Sequence, residues 1–418
     1  MSTRARVGIT LGCVAVFLGS WALVHHSWWA AGGRGVDISI YHGYARDTVH
    51  GQTPYRDFSL EYPPGFLVPA LAPAATAPVD DYGAYVRDFD RWMAGAGVAL
   101  ILFSAVGLTA LRARRKEFGL ALGFIAISPL LVGLLMFSRF DLWPTALAVG
   151  GLSALLAGRD RTGGALLGAA IATKLWPAVL VPLALVWVWR RHGRTDAAKW
   201  IAIVIGTCAA FFVPFAVLSP GGLGHSFGLQ IDRPLQLESL GSTLLLAAHN
   251  LGGLGVSEAS TYGSANIVAH GASAVADGSA VAQVLALCAI WVAFARGSAR
   301  ADRLAIAAAA CIAVFIAFGK VFSPQYLIWL VPFVALTRRR LESLLLAAAL
   351  VATQFYWPSH YDELLSFKPF ATGVVLTRDL LVVAIAVSLG RALLEREPAE
   401  DAEPAAHHAA LRPDPLPG

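Results

Sequence analysis

Apolar runs of about 17 to 22 residues recur along this chain, the length a helix needs to cross the ~30 Å hydrocarbon core of a bilayer. Such a run has few ways to fold, because no water is present there to satisfy its backbone amides and carbonyls. The chain is 57% hydrophobic and 14% charged, with a mean hydropathy of +0.62, values of an integral membrane protein and not of a soluble domain. Twelve spans are expected, near 7–28, 93–111, 117–137, 141–158, 163–175, 177–190, 199–218, 274–296, 303–319, 325–337, 341–356 and 373–393. The expected fold is an all-α polytopic membrane protein with short or broken helices and a long first extracytoplasmic loop. The short pair 163–175 and 177–190 folds back around Lys174-Leu175-Trp176-Pro177; sub-length helices at membrane depth border protein or water and so mark a cavity.

Charge sets the topology. With the N-terminus cytoplasmic, even-numbered spans end inside, and their ends carry Arg112 to Lys116, Arg159 and Arg161, Arg190 and Arg191, Arg296 to Arg303, Arg338 to Arg340, and Arg391. All fall on one side, as the positive-inside rule requires, so both termini are expected in the cytoplasm and the membrane is expected to be the plasma membrane. The same clustering between spans explains the net charge of +5 without nucleic acid. The four cysteines each sit alone in an apolar run and read as small buried hydrophobes. Arg4 and Arg6 precede the first apolar run, yet Trp28-Trp29-Ala30-Ala31-Gly32-Gly33 offers no A-x-A site, which points to an uncleaved signal anchor.

Residues 65–78 are apolar but hold Pro69, Pro73 and Pro78, and counting them as a span would invert every basic cluster downstream. They read as a re-entrant or interfacial part of one outer loop, 32–92. Residues 241–256 are treated likewise within a second outer loop, 219–273. The membrane domain is taken as 1–394, and the Pro-, Ala- and acid-rich tail 395–418 as a disordered cytoplasmic segment.

This topology gathers the polar residues that hydropathy does not require. Asp37, Tyr41, Tyr55, Glu61 and Tyr62 fall in the first outer loop. Arg139 and Asp141 lie between spans 3 and 4, Lys174 at the hairpin tip, Arg233 and Glu238 after span 7, Lys320, Ser323 and Gln325 between spans 9 and 10, and His360 after span 11. Ionisable groups near hydrocarbon are costly and mark substrate paths. Each also has a plainer reading: Asp37 as a helix cap, Arg139 and Asp141 as partners of each other, Lys174 and Lys320 as snorkelling cations, Arg233 and Glu238 as loop charges, and the tyrosines as interfacial aromatics. Convergence on one face favours a site, with Asp37 as its catalytic carboxylate.

These residues resemble glycosyltransferase family 87, polyprenyl-phosphate-mannose-dependent α-mannosyltransferases of the GT-C superfamily. The resemblance is carried by Asp37 with Tyr41, by Gly51-x-x-Pro54-Tyr55-x-Asp57-Phe58, and by Glu61-Tyr62-Pro63-Pro64. Arg139-Phe140-Asp141, Thr173-Lys174-Leu175-Trp176-Pro177, Gln236-Leu237-Glu238-Ser239 and Ser323-Pro324-Gln325-Tyr326 follow in the same order, so that it covers roughly 10–390. It implies a GT-C fold, an extracytoplasmic site, a polyprenyl-phosphate sugar donor, a glycolipid or glycan acceptor and a first-loop acid as base, carried here onto Asp37. Inverting transfer of a hexose, preferably mannose, follows as the expectation. Lys174, Arg233, Lys320 and Arg139 are the cations expected at the leaving phosphate; Glu61, Asp141 and Glu238 are expected to orient sugar hydroxyls or those cations. No cofactor is expected, a divalent cation being possible but not indicated by any ligand cluster. Competing expectations are a secondary transporter or flippase of a sugar or lipid-linked sugar and, among enzymes, an arabinosyl- or glucosyltransferase using another polyprenyl-phosphate donor.

Overall fold

A computed structural model describes residues 1–26 and 37–395. The end of the first expected span, the Trp28 to Gly33 stretch and the tail beyond 395 lie outside the described residues. The helices, in chain order, are α1 (Thr3–His26), α2 (Asp37–Val49), α3 (Leu67–Leu71), α4 (Tyr82–Ala110), α5 (Arg115–Val132), α6 (Leu142–Leu156), α7 (Asp160–Thr173), α8 (Val181–His192), α9 (Arg194–Leu218), α10 (Pro220–Ile231), α11 (Leu240–Gly252), α12 (Ala272–Arg296), α13 (Ala301–Ala317), α14 (Tyr326–Thr337), α15 (Arg340–Tyr356), α16 (Tyr361–Leu365) and α17 (Pro369–Leu394). Each of the twelve expected spans falls on a helix. Six helical stretches are long and apolar enough to cross a membrane by length and composition: Thr3–His26, Tyr82–Ala110, Arg115–Met136, Arg194–Leu218, Ala272–Arg296 and Pro369–Leu394. The rest are cut shorter by local chemistry. Lys174 ends α7 in an extended conformation and Pro177 opens a 3-10 turn before α8, while Gly193, at φ +86°, separates α8 from α9.

Residues 64–75 form three short helical turns and no span, because their prolines interrupt any longer ladder. The all-α expectation needs one correction: β1 (Val256–Thr261) and β2 (Ser264–Ala269) form an antiparallel hairpin. Tyr262 and Gly263, both with positive φ, supply the two-residue turn that matches strand twist. Asn266 seals it by donating to the Thr261 and Ser264 carbonyls at 2.9 and 3.0 Å. The segment 235–237 then docks on β2 through Leu237 N–H to Ala265 O and Ile267 N–H to Leu235 O, each 3.0 Å.

The buried core runs through α4, α5, α6, α13 and α14, with α13 and α14 buried over almost their whole lengths. By contrast, only 6% of the most apolar stretch of α9 and 17% of that of α12 is buried, which leaves broad apolar faces outward. The basic clusters meet at one end of the bundle. Arg190 donates to the carbonyls of Ala295 and Gly297, Arg303 to Leu393 O at 3.0 Å, and Arg338 pairs with Asp302 and with Glu117 at 3.6 Å. Loops that carry the clusters thus touch one another at this end.

Candidate active site

At the other end a cavity of about 470 Å³ opens among α2, the 61–63 turn, Arg139, Lys174, α10, the 233–238 segment, the hairpin turn and the loop 319–326. Asp37 is the first residue of α2, and Tyr41, one helical turn on, shares its face. The Asp37 carboxylate takes a 2.7 Å ion pair from Arg139, which projects from the tight α5–α6 connection and is itself buried. Tyr41 is clamped among the rings of Tyr62, Phe66, Phe89 and Phe140, all with centroids within 5.9 Å, so this wall is rigid.

Lys174 stands one step away. Its ammonium lies 2.7 Å from Asp141 and over the rings of Phe140, Trp329 and Tyr326 at 4.7, 5.1 and 5.5 Å. Asp141 is fully buried and also accepts from the Trp329 indole N–H. Trp329 stacks on Trp176 and Tyr326, 5.1 and 3.9 Å between centroids. Arg139 and Asp141 are therefore not partners of each other; each pairs with an acid or cation from a different element. Snorkelling does not describe Lys174, whose side chain is enclosed by aromatic rings and an acid.

The position of the α7 end is set by Gly65: a Cβ there would lie 2.6 Å from the Ala172 backbone, so only glycine lets the 64–66 turn approach so closely. Glu61, next to that turn, faces Gly263 of the hairpin; burial lifts its carboxyl above the usual range, opposed by Arg233. Arg233 donates to Tyr262 O at 3.1 Å, and the Lys320 ammonium to Ile231 O at 2.6 Å. On the far wall Glu238 accepts from the Tyr356 hydroxyl at 2.7 Å and the Gln236 amide at 3.0 Å; burial pushes its carboxyl up to about 7. Gln236 also donates to Ser323 Oγ at 3.1 Å.

Of the residues singled out in the sequence, all but Tyr55, Asp141 and His360 line this cavity. Asp141 sits directly behind Lys174. Tyr55, at φ +66°, is a strut: its hydroxyl donates to the Tyr62 carbonyl and its own carbonyl accepts from Ser219 Oγ at 2.9 Å, tying the first loop to α10. His360 is half-buried, bonded to Phe355 O at 2.9 Å and stacked on the Phe355 ring, and is not among the residues that line the cavity. Sequence reasoning placed Tyr361 beside His360 after span 11 without making it a site residue and passed over Trp357, and both line the cavity; it also passed over Arg378 with Asp379, which lie buried behind it. The last pair had a readable signal, two ionisable residues in the middle of the expected span 373–393. Among the described residues no three His, Cys, Asp or Glu side chains group as a metal-ligand set.

The model of glycosyltransferase family 87 matches residues 60–324. The chain belongs to glycosyltransferase family 87. The resemblance noted from short motifs is thereby shown, over a narrower stretch than the motifs spanned. No curated protein matches the chain. Family 87 membership and the apolar helices together make this a multi-pass membrane glycosyltransferase, one that takes a sugar donor and an acceptor. The matched stretch holds Glu61, Tyr62, Arg139, Asp141, Lys174, Arg233, Glu238, Lys320 and Ser323; Asp37 and Tyr41 precede it and Gln325 follows it.

Proposed function

We propose that this family 87 enzyme transfers a hexose, mannose by preference, from a polyprenyl-phosphate donor to an envelope glycolipid or glycan on the extracytoplasmic side of the plasma membrane. The reading takes twelve spans with both termini cytoplasmic, supported by the basic clusters gathered at the end opposite the cavity. One observation carries it: the Asp37 carboxylate shares a cavity with Arg139, Lys174, Arg233 and Lys320. A carboxylate and a set of cations on facing walls are what inverting displacement from a phosphate leaving group needs.

In this reaction the acceptor hydroxyl oxygen attacks the anomeric carbon while the bond from that carbon to the phosphate oxygen breaks. The hydroxyl proton passes to Asp37, and the electron pair stays on the departing polyprenyl phosphate, whose charge the cations meet. A β-linked donor then yields an α-glycoside. Arg139 acts on both sides of the reaction, since it holds Asp37 in place and faces the same cavity. Glu61, Tyr62 and Glu238 supply acceptors and donors for sugar hydroxyls, and Trp176 and Tyr326 supply aromatic faces.

The test is to incubate purified protein with polyprenyl-phosphate mannose, glucose or arabinose and a panel of envelope glycolipids, then identify products by mass and anomeric configuration. A single added hexose in α linkage from the mannosyl donor is expected. Transfer from the glucosyl or arabinosyl donor alone would replace mannose. No transfer from any lipid-linked donor, with movement of a sugar or lipid across vesicles, would favour a transporter.

A further inference from the structure

Arg378 has no part in the transfer as written, yet it is fully buried in the middle of a membrane helix, where an arginine is costly unless every donor is used. Here they are used. Nε and Nη2 donate to Asp379 Oδ1 at 2.9 and 2.7 Å, Nη2 also reaches the Glu238 carbonyl, and Nη1 donates to the Tyr356 hydroxyl at 2.7 Å. The guanidinium plane lies 3.8 Å from the Phe322 ring centroid. Asp379 is held in turn by Thr243 Oγ1 at 2.8 Å. The chain of bonds then runs outward: the Tyr356 hydroxyl donates to Glu238 Oε1, Gln236 Nε2 holds Oε2, and Gln236 Oε1 accepts from Phe322 N–H at 2.8 Å. Gln236 N–H also donates to Lys320 O at 2.9 Å. Two separate cavity walls, 236–238 and 320–323, are thus fastened to α17 through one side chain that does not line the cavity.

We propose that Arg378 is a positioning residue for sugar transfer: through Tyr356 and the 238 carbonyl it fixes the rotamer and charge of Glu238 and holds the 236–238 and 320–323 walls in register. The inference rests on the transferase reading above. It assigns α17 a part in the site that the outer-loop motifs do not suggest. Glu238 faces Arg378 and Asp379 from α17, Tyr356 from α15, Tyr361 from α16, Arg139 from the α5–α6 connection and Tyr326 from α14. Within this set Arg378 and Asp379 neutralise each other at contact distance. Glu238 thus depends on Arg378 for hydrogen-bonded placement as much as for charge.

The experiment measures kcat and KM for transfer from polyprenyl-phosphate mannose, and melting temperature against pH, for Arg378→Lys, Tyr356→Phe, Glu238→Gln and the double variants. Lysine keeps a cation beside Asp379 but cannot span Asp379, the 238 carbonyl and Tyr356 together. Arg378→Lys is expected to lower kcat/KM about a hundredfold, the scale of an ångström-level misplacement, and to move the pH midpoint of the melting profile upward. In the Glu238→Gln background the same change should cost less than about threefold and move no midpoint, the non-additivity expected of residues that act as a unit. Tyr356→Phe removes one bridge and should fold even if Arg378→Lys does not, with a loss of about tenfold that is again absent beside Glu238→Gln. Wild-type kinetics in Arg378→Lys, or in Tyr356→Phe if the lysine variant does not fold, would overturn the proposal, as would an equal loss with and without Glu238. If the wild-type protein transfers nothing from this donor, the transferase reading fails separately. The melting profile still decides the coupling: a midpoint shift that vanishes with Glu238→Gln upholds it, and an unshifted profile overturns it.

Discussion

Asp37→Asn separates chemistry from architecture at this site. Asparagine keeps the shape and an amide oxygen for Arg139, but it cannot take a proton from an acceptor hydroxyl. The ion pair it replaces has side-chain exposures of 21% at Asp37 and 6% at Arg139, between a surface pair worth about 0–1 kcal/mol and a buried one whose disruption costs about 3–5. With the amide still accepting from Arg139, the expected stability loss is about 1–2 kcal/mol, enough to lower the melting temperature but not to unfold the protein. Loss of a general base removes about 10²–10⁴ in rate, or about 3–5 kcal/mol of barrier. The assay is initial-rate transfer from polyprenyl-phosphate mannose in nanodiscs, with melting temperature measured on the same preparation and Arg139→Gln run beside it. The expected result is a loss of at least about a hundredfold in kcat for Asp37→Asn, larger than for Arg139→Gln. Near-normal turnover would refute the assignment. So would equal, non-additive losses in the two variants, because Asp37 would then act only as the partner of Arg139.

Lys174→Met leaves Asp141 fully buried without its cation, held by the Trp329 indole N–H; a loss of about 3–5 kcal/mol is expected in thermal or denaturant melts, largely regained in Lys174→Met/Asp141→Leu. Stability should depend on Glu238, whose carboxyl burial raises from about 4.5 to about 7. The folded state holds a proton that the unfolded chain releases, so the contribution is present below about pH 4.5 and is lost as pH rises to about 7, at most about 3 kcal/mol. Glu238→Gln should flatten that part of the melting profile, and an unchanged profile would count against it. Gly65→Ala drives a methyl into the Ala172 backbone, with an expected loss of about 1–3 kcal/mol and a fall in donor use as Lys174 is displaced; a variant as stable and active as wild type would show that the 64–66 turn can retreat freely.

The sequence by itself determined the class of the molecule and named most of the charged residues that line its cavity. Apolar run length and the absence of water in a bilayer leave helices as the only spanning structure, and each expected span is a helix. Basic clusters meet at one end of the bundle, and the acids, tyrosines and cations of the loops that line the cavity emerged together because nothing in packing calls for them there. Pairing was beyond its reach. Arg139 and Asp141 are two residues apart, and proximity along the chain suggested that they bond to each other. The short connection between α5 and α6 instead points them to different partners, Asp37 and Lys174, brought from 102 residues before and 33 after. His360 is close to the site in sequence order but turns toward Phe355. The hairpin after α11 was missed because its strands are short and small-residued, though Tyr262-Gly263 is a legible turn. Arg378 and Asp379 were masked by the hydropathy of the span around them. Only tertiary structure decided that these charges face Glu238 across a helix boundary, because mean hydropathy weighs how apolar a segment is and not what lies against each side chain.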